Sequence, residues 1–170
     1  DNVDFFSDNF KVKGSGQKVI FNFENQKIFI SGIESKIYLE NTEMLSDGEI
    51  TINNIDGSFL IEGENSRLLS DDIIISGSII KGIFNMIEGK RDIANLSVED
   101  KKKINIKTND ILMSSNKAIY NNKTLDIKFE DSVKCLYENS ELYAGSAEFL
   151  NSKNSLTVSN NVKIIDSKGT

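Results

Sequence analysis

The stretch from Ile111 to Leu136, ILMSSNKAIYNNKTLDIKFEDSVKCL, is written again from Glu141 to Ile165 as ELYAGSAEFLNSKNSLTVSNNVKII. A shift of 29 residues (147 − 118) pairs Ala118 with Ala147, Tyr120 with Phe149, Ile127 with Leu156, Phe129 with Val158 and Val133 with Val162, without a gap. Looser copies run from Ser58 to Ile79 (SFLIEGENSRLLSDDIIISGSI) and from Val19 to Leu39 (VIFNFENQKIFISGIESKIYL). The shared order is strand, small residue, aromatic or Leu, polar turn, strand. A fixed period of a few tens of residues marks stacked supersecondary units. Each such unit cannot cover its own apolar face, so its neighbours must supply the cover.

The period inside each unit is two. Leu125, Ile127 and Phe129 alternate with Asp126, Lys128 and Glu130; Leu156 and Val158 alternate with Thr157 and Ser159; Val19, Phe21 and Phe23 alternate less cleanly with Ile20, Asn22 and Glu24. Such alternation sends one set of side chains to each face of a pleated strand. Turn signals recur at short intervals: Lys13-Gly14-Ser15-Gly16, Ser46-Asp47-Gly48, Ile55-Asp56-Gly57, Ser70-Asp71-Asp72, Asn121-Asn122-Lys123, Glu138-Asn139-Ser140 and Ser152-Lys153-Asn154. These residues accept the backbone that tight turns require. The expectation is one all-β domain over 1–170 with roughly a dozen or more short antiparallel strands. Gly14-Ser15-Gly16 is read as a hairpin turn and Lys101-Lys102-Lys103 as a solvated turn. Asp92 to Asp100 is the one stretch with a helical signal.

Absences bound the function. Among 170 residues there is no His, Pro or Trp, and one Cys. Without His, the usual general base and the commonest metal ligand are both missing. Cys135 lies on a strand-like run with no His to activate it, which points to an inert buried thiol. The acid pairs Asp71-Asp72 and Glu130-Asp131 lack the spacing of a calcium loop. The expectation is a protein without catalysis, cofactor or metal. A net charge of −6 argues against a nucleic-acid partner. No segment holds the roughly 18 apolar residues of a membrane-spanning helix.

The repeat grammar resembles that of the OstA-like proteins of the lipopolysaccharide transport bridge. The carrying segments are SNKAIYNNKTLDIKFEDSVKCL and AGSAEFLNSKNSLTVSNNVKII, with GENSRLLSDDIIISGSI as a diverged unit that has Ser66 where the family usually has Ala. The N-terminal pattern Asn9-Phe10-Lys11-Val12, Val19-Ile20-Phe21 and Gly57-Ser58-Phe59-Leu60 is most similar to the periplasmic domain of LptC. The soluble bridge LptA is the alternative. The segment 81–110 fits neither.

The resemblance implies an open, twisted antiparallel β-jelly roll whose apolar groove shelters acyl chains. The implied partners are lipopolysaccharide, the inner-membrane ABC transporter of that system and the next periplasmic bridge protein. The implied location is the periplasm, with a tethering helix ahead of Asp1. On this reading Phe21, Phe23, Ile73, Ile75, Leu125, Ile127, Phe129, Leu156 and Val158 line one apolar interior. The final strand, with Val162, Lys163, Ile164 and Ile165, is the edge for the next bridge protein, and a first strand from about Val3 to Val12 faces the transporter. A structural β-module with a filled core and no ligand stays open as a different class. An open groove rather than a core of normal density would separate the two.

Overall fold

A computed structural model of the chain describes residues 2–70, 73–87, 90–107, 112–121, 123–137 and 140–166. These form fifteen antiparallel strands: β1 (Val3–Ser7), β2 (Val12–Gly16), β3 (Lys18–Asn22), β4 (Lys27–Ser31), β5 (Ser35–Leu39), β6 (Thr42–Ser46), β7 (Glu49–Asn53), β8 (Ser58–Leu69), β9 (Ile74–Ile87), β10 (Lys90–Lys107), β11 (Leu112–Asn121), β12 (Asp126–Tyr137), β13 (Ser140–Leu150), β14 (Ser155–Ser159) and β15 (Lys163–Asp166). The one other regular element among the described residues is a single 3-10 turn, Asn151–Lys153, closed by Asn154 in the left-handed region. All fifteen strands belong to one sheet.

Nine strands are short as expected, but β8 to β13 are 10 to 18 residues long. Each serves two arms of the sheet and bends between them. The bends lie at register shifts: Glu62/Ser66 on β8–β9, Glu99/Asn105 and Glu99/Ile104 on β10, Ser114/Lys117 on β11–β12, and Glu130/Val133 on β12–β13. A bulge inserts unpaired residues and turns the strand. The lysine run 101–103 is therefore part of the β10 bulge, not a turn between strands. Asp92 to Asp100 also lies within β10 and is not helical.

Carbonyls that leave the ladder at these bends need other donors. Buried serines supply them. Ser46 Oγ donates to Glu62 O at 2.6 Å, Ser66 Oγ to Gly63 O at 3.0 Å and Ser115 Oγ to Lys117 O at 2.8 Å. Ser66, the small residue of its repeat unit, thus sits at a bend of the sheet.

One arm runs β1-β2-β5-β6 and then through β8 to β13, ending on β15. The other runs β3-β4-β7, through the far halves of β8 to β13, and ends on β14. The core lies between them. Across one arm, register joins Val19, Ile30, Ile50, Ile61, Ile80, Val98, Ala118, Phe129, Ala147 and Val158 into one inward row. Across the other it joins Phe5, Gly14, Ile37, Met44, Leu68, Ile75, Ile106, Met113, Cys135, Leu142 and Ile164. The 29-residue repeat is the step that moves a residue two strands along such a row, which keeps it facing inward.

Gly14 and Gly16 occupy β2 rather than a turn, which corrects the sequence reading. A side chain at Gly14 would collide with the Lys36 carbonyl oxygen, 2.0 Å from an ideal Cβ, and with the Phe5 ring at 2.8 Å. Close approach, not a turn, selects glycine here. The expected single strand from Val3 to Val12 is likewise a hairpin. It reverses at Asp8 to Lys11, where Lys11 takes φ 51°.

Candidate functional site

The feature with the most chemistry in it is the apolar space between the two arms, and it differs from end to end. In the middle it is closed. Ile30, Ile37, Met44, Ile50, Ile61, Leu68, Ile75, Ile80, Val98 and Ile104 have no solvent exposure. At the N-terminal end, aromatic rings plug the space. The Phe5 and Phe21 rings meet edge-on at 5.7 Å across the two arms. Phe10, from the β1–β2 turn, is buried against Phe21 at 5.4 Å and Phe23 at 5.6 Å. Edge and tilted contacts of this kind are favourable beyond the area they bury.

At the C-terminal end no such plug exists among the described residues. Leu142, Phe149, Leu156 and Val158 are only partly buried against the core. Ile164 ends its inward row at 66% exposure, and Val162 and Ile165 are exposed as well. Among the described residues no further repeat unit packs over the last one. Val133 is buried while its repeat partner Val162 is not. Large apolar side chains left exposed together mark a surface that another apolar body can cover.

The same end carries an open strand edge. β14 pairs with Ser146–Leu150 of β13, and β15 pairs with Ser140–Tyr143 of the same strand. Both therefore sit on one side of β13. Asn160 and Asn161, with φ 65° and 59°, make the kink between them. The far sides of β14 and β15 have no strand partner among the described residues. β1 is the last strand of its arm at the other end. Unpaired edge groups are a template for another chain.

The expected lining residues fall into three groups. Ile73, Ile75, Ile127 and Phe129 are buried in the core. Phe21, Leu156 and Val158 are partly buried and pack against it. Phe23 and Leu125 are exposed, at 60% and 43%, and do not lie within the interior. Phe23 follows the end of β3 in the turn to β4 and lies over the Phe10 plug from outside. Leu125 takes φ 58° in the turn before β12, so it leaves the pleat that carries Ile127 and Phe129 inward. Of the expected edge residues, Lys163, Ile164 and Ile165 lie in β15, whereas Val162 precedes it. The sequence reading missed Phe5 and Phe10 of the plug. Phe10 was hidden because the chain turns at Asp8 to Lys11 rather than at Gly14-Ser15-Gly16.

The polar groups have structural partners. Lys134 Nζ donates to Glu141 at 2.8 Å, and Tyr143 Oη donates to the other oxygen of that carboxylate at 2.5 Å. Hydrogen bonds from Lys134 and Tyr143 hold the Glu141 carboxyl below its ordinary range. Lys128 at 2.9 Å does the same for Glu130. Burial pushes the Cys135 thiol up, away from the reactive thiolate. No group of side chains among the described residues is arranged to hold a metal ion. No helix among them is long and apolar enough to cross a membrane. The acid pair Asp71-Asp72 lies outside the described residues.

No protein-family model and no curated protein matches the chain. Sixteen chains of known structure match it. One is LptH of Pseudomonas aeruginosa, described as the LptA-homologous periplasmic component of the conserved lipopolysaccharide transport device. The two share 7% identity over 73% of this chain and 93% of that one, with a TM-score of 0.62. A likeness with so little identity is one of fold: this chain is an antiparallel β-jelly roll of the LptA-like kind.

Proposed function

We propose that the chain is a non-catalytic bridge component of lipopolysaccharide transport. It takes lipopolysaccharide from the inner-membrane ABC transporter, shelters the acyl chains between its arms, and passes them to the next periplasmic bridge protein by pairing of edge strands. The observation that carries this reading is the uncovered apolar end formed by Leu156, Val158 and Ile164 beside an open edge, on a fold shared with LptH. Each acyl CH₂ removed from water is worth about 0.8 kcal/mol, so a short apolar trough suffices to hold a chain. Because the middle of the interior is closed, entry of an acyl chain there requires the arms to part.

Two finer readings differ in anchoring. The LptC-like one has a membrane tether ahead of Asp1, and the LptA-like one has none. The described likeness is to an LptA homologue and nothing in it singles out LptC. Fractionation of cells expressing the full gene product decides: membrane-bound protein supports the first, soluble periplasmic protein the second.

A filled β-module without a ligand is the second functional reading. The near-zero exposure of the central rows favours it. The test is co-elution of purified chain with lipopolysaccharide, using Leu156→Lys and Val158→Lys. Retention by the native chain and loss in both variants supports the bridge. Failure of the native, folded chain to retain any lipopolysaccharide supports the module.

A further inference from the structure

The β9–β10 hairpin is longer than its surroundings. β8 ends its pairing with β9 at Ser58↔Ile83, and β11 ends its pairing with β10 at Asn121↔Asn95. Beyond those points Phe84–Ile87 and Lys90–Ile93 pair only with each other. The register skips Ala94 between Ile93 and Asn95, and such a bulge re-aims the strands that follow it. A free two-strand overhang in water is marginal. Here it is turned onto the open side of the jelly roll. Phe84 and Ile93 are buried, Phe84 lies 4.7 Å from the Phe59 ring, and Phe84 N donates to Gly57 O at 2.9 Å.

Arg91 fastens the overhang to the opposite arm. Its Nη2 donates to Phe10 O at 2.7 Å and to Asn54 Oδ1 at 2.9 Å, and its backbone N–H donates to the Glu40 carboxylate at 3.1 Å. Phe10 and Glu40 belong to the β1–β2 and β5–β6 turns, at the rim of one arm. Asn54 belongs to the β7–β8 turn, at the rim of the other. One side chain therefore spans both rims and holds the turn that carries the aromatic plug. Burial lowers the Arg91 pKa, with Glu40 opposing, so this cation is held by neutral carbonyls at a desolvation penalty rather than by a tight ion pair.

We propose that the overhanging strand ends, Phe84–Ile87 and Lys90–Ile93, are a lid on the open side of the jelly roll, latched by Arg91 and released together with the Phe10 plug. Its apolar underside, Phe84 and Ile93, covers the interior until an acyl chain takes its place. The identity of that occupant rests on the transport reading; the lid itself does not.

Hydrogen exchange with mass spectrometry tests it on the full chain without any lipid. Peptides from 84–93 should exchange about tenfold or more faster than those from 74–83 of the same β9 strand. That factor corresponds to about 1.4 kcal/mol less opening free energy. Arg91→Ala should speed 84–93 and the β1–β2 turn by a further factor of about ten, with the melting temperature nearly unchanged, and Arg91→Lys should fall between. Tip exchange as slow as that of 74–83 overturns the lid. So does an Arg91→Ala effect spread evenly over all strands. Fast tip exchange without any lipopolysaccharide uptake keeps the lid and defeats the transport reading. Slow tip exchange with uptake does the reverse.

Discussion

Replacing Phe129 with Ala tests whether the central interior is a packed core. Phe129 is 1% exposed, and its cross-strand neighbours on the inward row are Ala118 and Ala147, one on each side. Neither alanine has atoms to swing into the space that the ring leaves. The next members of the row, Val98 and Val158, stand one strand further out. Collapse is therefore limited, and the loss should reach the usual range for a buried Phe, about 3–5 kcal/mol. For a chain of this size, each kcal/mol shifts the melting temperature by roughly 2–4 °C. The expected fall is about 6–20 °C. The assay is thermal unfolding followed by far-UV circular dichroism, since the chain has no Trp for fluorescence. Lys128→Ala is the control. It lies on the outward face in an ion pair with Glu130 at 2.9 Å, with its side chain 54% exposed, so its effect should stay within about 0.5 kcal/mol. Equal effects of the two substitutions would refute the assignment of inward and outward faces on β12. Leu156→Ala, at the open end, should fall between, at about 1–2 kcal/mol, because less apolar area is lost from cover.

Other consequences follow the same logic. Lys163→Pro and Ile164→Pro should include one variant that removes an outward N–H while sparing the ladder to β13, because N–H direction alternates along a strand. That variant should lose capture of a bridge partner with little change in melting temperature, and unchanged capture would place the docking edge elsewhere. Gly82→Ala should destabilise by about 1–3 kcal/mol, since a Cβ there would meet the Phe59 ring at 2.3 Å; differential scanning calorimetry reads this. Burial raises the Cys135 pKa, so thiolate in the folded chain forms only above the ordinary thiol range. An aromatic disulfide reagent at mildly alkaline pH should react slowly with the native protein and fast in denaturant, and fast native reaction would contradict the burial.

Much of the fold was legible because the repeat and the alternation report the same thing. Ala118 and Ala147, matched by offset alone, flank Phe129 in space, and Tyr120 and Phe149 flank Ile127. What was not legible is where local chemistry has two uses. Gly14-Ser15-Gly16 looks like a turn, but Gly14 is glycine because the Phe5 ring and the Lys36 carbonyl approach it. Leu125 keeps the alternation on paper and loses it in the structure to one left-handed residue. The segment 81–110 resisted the repeat pattern because the overhang of β9 and β10 departs from the repeat unit there. Its latch, Arg91, contacts residues 37 and 81 positions away, which no local pattern reveals.

On the bridge reading, the space between the arms receives acyl chains, and this is a property of the chain in transit. It is tested most directly by photo-crosslinking in cells that are transporting lipopolysaccharide. Crosslinkers are placed at Val158 and Ile127, which face inward, and at Asp126 and Lys128 on the opposite face of β12. Capture of lipopolysaccharide from Val158 first, from Ile127 more weakly and from neither outward position is the expected result. Capture only from Asp126 and Lys128 would contradict it.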